Sequence, residues 1–371
     1  MSKDSQHLIE DIIQQLRLPD INADACVHSV CNLSNCRSCV DACPQEAWIL
    51  DDEALGLNVD TCDGCGLCVP ACPSGALHIH FPWVIRQLGA KIVALFACDK
   101  SGINEHSAIL PCIHALGIRQ LLQLYNSGIE HLLLATEQCK QCSRYASNND
   151  LYYRIEKLNH LLSENNQSPI ILMQRSNNVW TKVFNSDETI SRGTQISRRD
   201  FLHGGGQQLH KQMLIIDPLN QAELQTIPPG QFLTISKENK SHWPWSPVLD
   251  EFICNGCDAC INLCPTGALK LFNSEKNLSN MYELSSAQLK YEINPQDCTG
   301  CGICAAVCES EAIMIDNWFL SSYHFVPLTE STCNSCGIKF HFPKQYSQSD
   351  RFYCRICQHQ DHNSNLYQVL D

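Results

Sequence analysis

The chain has 371 residues, with 39 Asp and Glu against 26 Lys and Arg and a formal net charge of −13. Phosphate-backbone binding needs a concentrated basic surface, so a nucleic-acid partner is not expected; an acidic surface suits docking on a basic face of a redox protein. The 25 cysteines stand mostly two or three residues apart in repeated runs, a spacing that chelates metal and does not suit disulfides. This length predicts two to four domains. No apolar run reaches membrane length and the N-terminus shows no signal-peptide core, so the expectation is a soluble, cytoplasmic protein without a membrane span.

In chain order, residues 1–25 are read as an N-terminal helix, because Leu8, Ile9, Ile12, Ile13 and Leu16 recur at helical spacing among charged residues. Two cysteine runs follow in 26–82: Cys31-x4-Cys36-x2-Cys39-x3-Cys43-Pro44 and Cys62-x2-Cys65-x2-Cys68-x3-Cys72-Pro73. In a C-x2-C-x2-C-x3-C-P run the first three thiolates wrap one [4Fe-4S] cluster and the fourth ligates its neighbour. Crosswise ligation gives Cys31, Cys36, Cys39 and Cys72 to one cluster, and Cys62, Cys65, Cys68 and Cys43 to the other. Gly64 and Gly66 allow the backbone to take positive φ and turn its N–H groups toward the sulfides. The first run has no such glycines, which predicts different potentials for the two clusters. Cys26 is left over, a buried thiol or an alternative to Cys31 as ligand.

From 88 to 175 the pattern changes to strands alternating with helices: strands at 91–97, 108–110, 131–135 and 170–173, and helices at 115–126 and 150–162. Such alternation predicts a small parallel α/β domain with its ligand site at the carboxyl ends of the strands. Cys98, Cys112, Cys139 and Cys142 fall at those ends, and four thiolates suit a [2Fe-2S] cluster or zinc; ordinary buried cysteines are the alternative for Cys98 and Cys112. The strand ending in Cys98, then Leu110-Pro111-Cys112, a helix, Gly128 to Ala135 and Cys139-Lys140-Gln141-Cys142 together resemble the delta-subunit family of methyl-viologen-reducing hydrogenase. That resemblance implies a [2Fe-2S] on these cysteines and a place between hydrogenase and heterodisulfide reductase. The family's second Cys beside the first is Asp99 or absent here.

Residues 176–249 are polar and read as a linker with local structure. Within it lies Ser197-Arg198-Arg199-Asp200-Phe201-Leu202, an internal twin-arginine-like segment with no apolar stretch after it. With Trp243-Pro244-Trp245-Ser246-Pro247 ahead of the next cysteine run, this part resembles the cytoplasmic ferredoxin associated with periplasmic nitrate reductase. A second module spans 250–318, with Cys254-x2-Cys257-x2-Cys260-x3-Cys264-Pro265 and Cys298-x2-Cys301-x2-Cys304-x3-Cys308. The crosswise sets are Cys254, Cys257, Cys260 and Cys308, and Cys298, Cys301, Cys304 and Cys264. The connection between Cys264 and Cys298 is longer than that between Cys43 and Cys62 and is a candidate docking loop.

The tail, 328–371, carries Cys333-x2-Cys336 and Cys354-x2-Cys357, the signature of a zinc ribbon, with rubredoxin-like iron as the rival. His341, His359 and His362 are read as surface residues. The fold expected is therefore α+β and multidomain: two ferredoxin-like 2[4Fe-4S] modules flanking a small parallel α/β domain, with a C-terminal zinc ribbon. No dinucleotide fingerprint, phosphate loop or nucleophile elbow is present and no catalytic residue is assigned. The function expected is single-electron relay to or from an oxidoreductase of formate dehydrogenase, hydrogenase, heterodisulfide-reductase-like or nitrate reductase type. The alternative is an assembly factor for a molybdenum oxidoreductase.

Overall fold

The computed structural model describes residues 18–50, 55–79, 81, 83–103, 108–136, 139–145, 150–186, 226–235, 239–273, 289–346 and 352–358. The N-terminal helix read over 1–25 lies outside them as far as residue 17, and its described end instead forms the short strand Asp20–Ile21 and the 3-10 turn Ala23–Ala25. The twin-arginine-like segment at 197–202, His359, His362 and the middle of the long connection between Cys264 and Cys298 also lie outside them. The chain divides into two units, Met1–Ile235 and Ser236–Asp371.

The first unit begins with four very short strands, β1 (Asp20–Ile21), β2 (Trp48–Leu50), β3 (Leu55–Leu57) and β4 (Leu77–His78). They form two antiparallel pairs, β1 with β4 and β2 with β3. Pairs this small are marginal by themselves. Val27, Trp48, Leu67, Val69 and Leu77 are buried beside them, between cysteine-bearing turns.

The α/β part of the same unit has β5 (Val84–Leu88), β6 (Lys91–Cys98), β7 (Ile109–Leu110), β8 (His131–Ala135) and β9 (Ile171–Gln174). Their order is β5-β6-β8-β9, with β7 paired to β6. β6, β7, β8 and β9 run parallel, while β5 is an antiparallel edge strand. A parallel sheet is covered on both faces, which is why Val93 to Ala97 and Leu132 to Ala135 are continuous apolar runs and wholly buried. The helix Leu151–Glu164 buries Leu151, Ile155, Leu158, Leu161 and Leu162. The segment read from its polar composition as a linker contributes a further helix, Asn177–Phe184. Its Trp180 is fully buried, stacks on Phe184 at 5.2 Å and donates its indole N–H to the Leu133 carbonyl.

The second unit pairs β10 (Ser241–Leu249) with β13 (Ile313–Ser321), antiparallel from Ser241↔Ser321 to Leu249↔Ile313. β10 also falls in the segment read as a linker. Its Pro244 and Pro247 hide a strand because proline cannot complete a ladder on both sides, and β10 pairs on one side only. β11 (Leu269–Phe272), β12 (Lys290–Ile293), β14 (His324–Thr332) and β15 (Lys339–Pro343) form a four-stranded antiparallel sheet in that order. Among the described residues, no helix is long and apolar enough to cross a membrane.

Inside the first unit, the turns of the cysteine module and the α/β domain are locked together. A Cβ on Gly117 would stand 3.1 Å from Pro70, so backbone and side chain are already in close contact there. The Arg119 guanidinium, buried at the start of the helix Ile118–Asn126, donates to the carbonyls of Cys72, Pro73 and Ile227. Arg144 donates to Asp63 at 2.6 Å, to Asp99 at 2.8 Å and to the Pro111 carbonyl at 2.7 Å. Its side chain is 7% exposed and the two carboxylates 28% and 15%, so removing the cation strands two half-buried anions. Arg144→Met is expected to lower stability by about 3 kcal/mol in denaturant titration. Arg144→Lys, lacking the planar fork, should recover only part of that; an unchanged midpoint in Arg144→Met would refute the account.

Candidate functional site

The cysteines gather in five places. In the first unit, Cys36, Cys39 and Cys72 line one cavity, together with Cys26. Burial pushes the Cys39 thiol up to about 12, and the nearby Cys72 and Cys36 add to that. Cys31 is buried at the end of the one-turn helix Val27–Val30 and is not among the residues that line this cavity. The second group forms around the turn Cys62 to Cys68. Burial raises the Cys62 thiol and the Cys43 charge adds to it; Cys68, more deeply buried, feels Cys65 and Cys62. Gly64 and Gly66 take φ of 66° and 73°, a region that side chains avoid. The Gly64 N–H bonds to the Cys62 sulfur and the Leu67 N–H to that of Cys65. Asp63 accepts the Cys65 N–H, and Arg144 holds its carboxyl below the usual range against the effect of burial.

The third place lies at the carboxyl ends of the parallel strands. Cys98 ends β6, Cys112 follows β7, and Cys139 and Cys142 follow β8 on a single 3-10 turn. All four line one cavity, with Lys100, His114, Arg144 and Tyr145. Burial pushes Cys112 up to about 12, with Cys98 and Cys139 contributing. His114 is buried, and burial holds its pKa below the usual histidine value. Its Nδ1 accepts the Leu151 N–H at 3.0 Å, so the proton sits on Nε2, which meets no partner among the described residues. This cavity adjoins the second group, because Cys112, Leu67 and Cys65 pack together. Arg144 and His114 were not singled out in the sequence, since neither belongs to a motif; Arg144 reaches Asp63 across 81 residues.

In the second unit, Cys264, Cys298, Cys301 and Cys304 line one cavity. Cys254, Cys257, Cys260 and Cys308 form the companion group: burial pushes Cys254 up to about 11, with Cys257 and Cys308 adding to it. Burial likewise pushes Cys260 up to about 12, with Cys254 and Cys304 as further contributors. The Gly300 N–H bonds to the Cys298 sulfur at 3.4 Å. Three runs share one entry: the N–H of the Asn or Asp four residues before the first Cys bonds to an alanine carbonyl four residues beyond the fourth Cys of the other run. The pairs are Asn58 to Ala47 at 2.9 Å, Asp250 to Ala312 at 2.7 Å and Asn294 to Ala268 at 2.8 Å. This bond brings the start of one run beside the end of the other.

The tail forms the fifth place. The sulfurs of Cys333, Cys336, Cys354 and Cys357 all lie within 4.8 Å of one another, and Cys336 and Cys354 are 3.8 Å apart. That is the edge of a tetrahedron with metal–sulfur bonds of about 2.3 Å. His341, read as a surface residue, instead bonds Asp258 at 2.9 Å, and the Tyr291 hydroxyl donates to the same oxygen at 2.6 Å. In the tail, against the effect of burial, backbone N–H groups hold the Cys333 thiol below its usual range. Burial favours neutral thiols at Cys39, Cys68, Cys112, Cys254 and Cys298, so a group that binds as thiolate there must bring positive charge and displace the protons. Iron or zinc does both.

Comparison with known proteins follows this geometry. A 4Fe-4S dicluster domain matches residues 31–77, and another 4Fe-4S dicluster domain matches 253–312. An uncharacterized ferredoxin of Methanocaldococcus jannaschii is 34% identical over 54 residues, 14% of this chain and 87% of that protein. The pyruvate synthase subunit PorD of Methanothermobacter marburgensis is 31% identical over 83 residues, 22% of this chain and 80% of that subunit. A tetrathionate reductase subunit of Archaeoglobus fulgidus is 47% identical over 53 residues, 14% of this chain and 26% of that protein. The chain belongs to the ferredoxin family and, with two dicluster domains for four [4Fe-4S] clusters, is a polyferredoxin.

Proposed function

We propose that the chain relays single electrons between a redox protein and an oxidoreductase complex. The observation that carries this reading is the packing of Cys65, Leu67 and Cys112, which sets a third four-cysteine cavity directly against the dicluster module. Bound clusters supply one-electron transfer. The cysteines would ligate and bury them, N–H groups such as that of Gly300 bond the cysteine sulfurs, and Arg144 and His114 line the third cavity. Relatives named as a pyruvate synthase subunit and a tetrathionate reductase subunit support an oxidoreductase as partner, and the net charge of −13 favours one with a basic docking face.

The ligand assignment in this reading is crosswise. Cys62, Cys65, Cys68 and Cys43 hold one cluster, and Cys36, Cys39 and Cys72 supply three ligands to its companion. In the second module Cys254, Cys257, Cys260 and Cys308 hold one, and Cys298, Cys301, Cys304 and Cys264 the other. Cys98, Cys112, Cys139 and Cys142 suit a [2Fe-2S]. Cys333, Cys336, Cys354 and Cys357 suit zinc, which has no redox chemistry and would close the chain beyond the β14–β15 pair.

Anaerobic holoprotein mixed with the oxidoreductase that co-purifies with it, and with that enzyme's substrate, should lose its oxidised visible absorption. If it stays oxidised with every such enzyme, the relay is wrong. The crosswise assignment is tested by Cys72→Ser, which should disturb the cluster of Cys36 and Cys39 in EPR and leave that of Cys62, Cys65 and Cys68 intact; loss of the latter alone contradicts it.

A further inference from the structure

The first run is irregular. In the other three, the first Cys stands three residues before the second, but that position here is Leu33, which is 66% exposed. The first ligand must therefore come from further upstream, where the chain has Cys26 and Cys31. We propose that Cys26, not Cys31, is the first ligand of the cluster shared with Cys36, Cys39 and Cys72, a proposal that rests on the crosswise reading above.

Cys26 lies four residues after Asn22, whose N–H bonds to the Ala76 carbonyl at 2.8 Å. Ala76 is four residues beyond Cys72, so this is the fourth instance of the bond made by Asn58, Asp250 and Asn294. The Asn22 side chain caps the turn by accepting the Ala25 N–H, as Asn58 does for Asp60, Asp250 for Phe252 and Asn294 for Gln296. The strands agree as well. The strand before each first Cys pairs with the strand after the other run's fourth Cys, namely β3 with β2, β10 with β13 and β12 with β11. β1 with β4 completes the set, and β1 leads into Cys26. Counted back from Cys31, the equivalent of the Asn or Asp is Val27, which has no side-chain acceptor and begins a helical turn.

Cys26 closes the 3-10 turn Ala23–Ala25 with φ −69° and ψ 134°. Cys298 closes the turn Pro295–Asp297 with φ −79° and ψ 132°, so the two cysteines share one backbone conformation at the same place in their runs. The N–H two residues on bonds to the sulfur in each case: Gly64 to Cys62, Gly256 to Cys254, Gly300 to Cys298, and His28 to Cys26. Such donors favour a thiolate.

The ligands of this cluster share one cavity. Cys26 lines it with Cys36, Cys39 and Cys72, and Cys31 does not. Residues 27–35 are then an insertion between first and second ligands, closed by the His28 ring against the Cys36 carbonyl at 2.9 Å. Cys31 is a buried thiol inside it. The family match begins at residue 31, so Cys26 lies outside the matched stretch.

The test is iron and acid-labile sulfide content with EPR on anaerobically purified Cys26→Ala and Cys31→Ala. Cys26→Ala should lose one cubane, about four iron, or keep a three-iron remnant with its own EPR signal in the oxidised state. Cys31→Ala should keep the full wild-type iron and an unchanged EPR spectrum. Loss of a cubane from Cys31→Ala, or failure of that variant to form holoprotein, overturns the proposal, as does a full complement in Cys26→Ala. Fewer than about 16 iron in the wild-type protein would instead sink the four-cluster reading itself.

Discussion

The structure depends on what happens when many thiols are buried close together. Burial, with neighbouring cysteines or Asp63 adding to it, pushes Cys39, Cys65 and Cys112 up to about 12, so these sulfurs are neutral until a metal displaces their protons. The strands around these sites are two or three residues long in the first module, far too short to hold a fold by hydrogen bonding alone. Metal binding to thiolates is therefore coupled to folding, and ligation takes the place of a large apolar core. The turns are shaped for it: glycines at positive φ and backbone N–H groups aimed at sulfur recur at Cys62, Cys254 and Cys298.

The α/β domain belongs to the same unit for a related reason. Arg144 is nearly buried and answers two carboxylates, one inside the turn between Cys62 and Cys65 and one directly after Cys98. It ties the turn between Cys62 and Cys65 to the end of the strand that carries Cys98. The same contact fixes the separation of the two sites, because Cys65 and Cys112 both touch Leu67.

How much of this the sequence discloses follows from how local each signal is. A C-x2-C-x2-C-x3-C run is local, so Cys62 to Cys72, Cys254 to Cys264 and Cys298 to Cys308 can be read directly. The strand Lys91–Cys98 and the helix Leu151–Glu164 are legible through apolar periodicity. Trp180 is not, because its eight-residue helix sits in a polar stretch and its apolar face is visible only once Leu133 and Phe184 lie beside it. β10 is hidden by two prolines tolerated on a strand paired on one side. Cys26 is hidden by nine intervening residues, and its proposed place rests on folded features: the bond from Asn22 to Ala76, the β1–β4 pair and the cavity it lines. Arg144 and His114 carry no motif at all; their placement is a property of the fold.

The central claim is that nearly every cysteine of this chain is a metal ligand and that the third cavity is an iron-sulfur site beside the dicluster module. Iron, zinc and acid-labile sulfide analysis of anaerobically purified protein, with EPR after reduction, tests it most directly. The account predicts about 18 iron and one zinc per chain, with a [2Fe-2S] signal beside those of the cubanes. About 16 iron with two zinc would contradict the third redox site, and about eight iron would contradict the account as a whole.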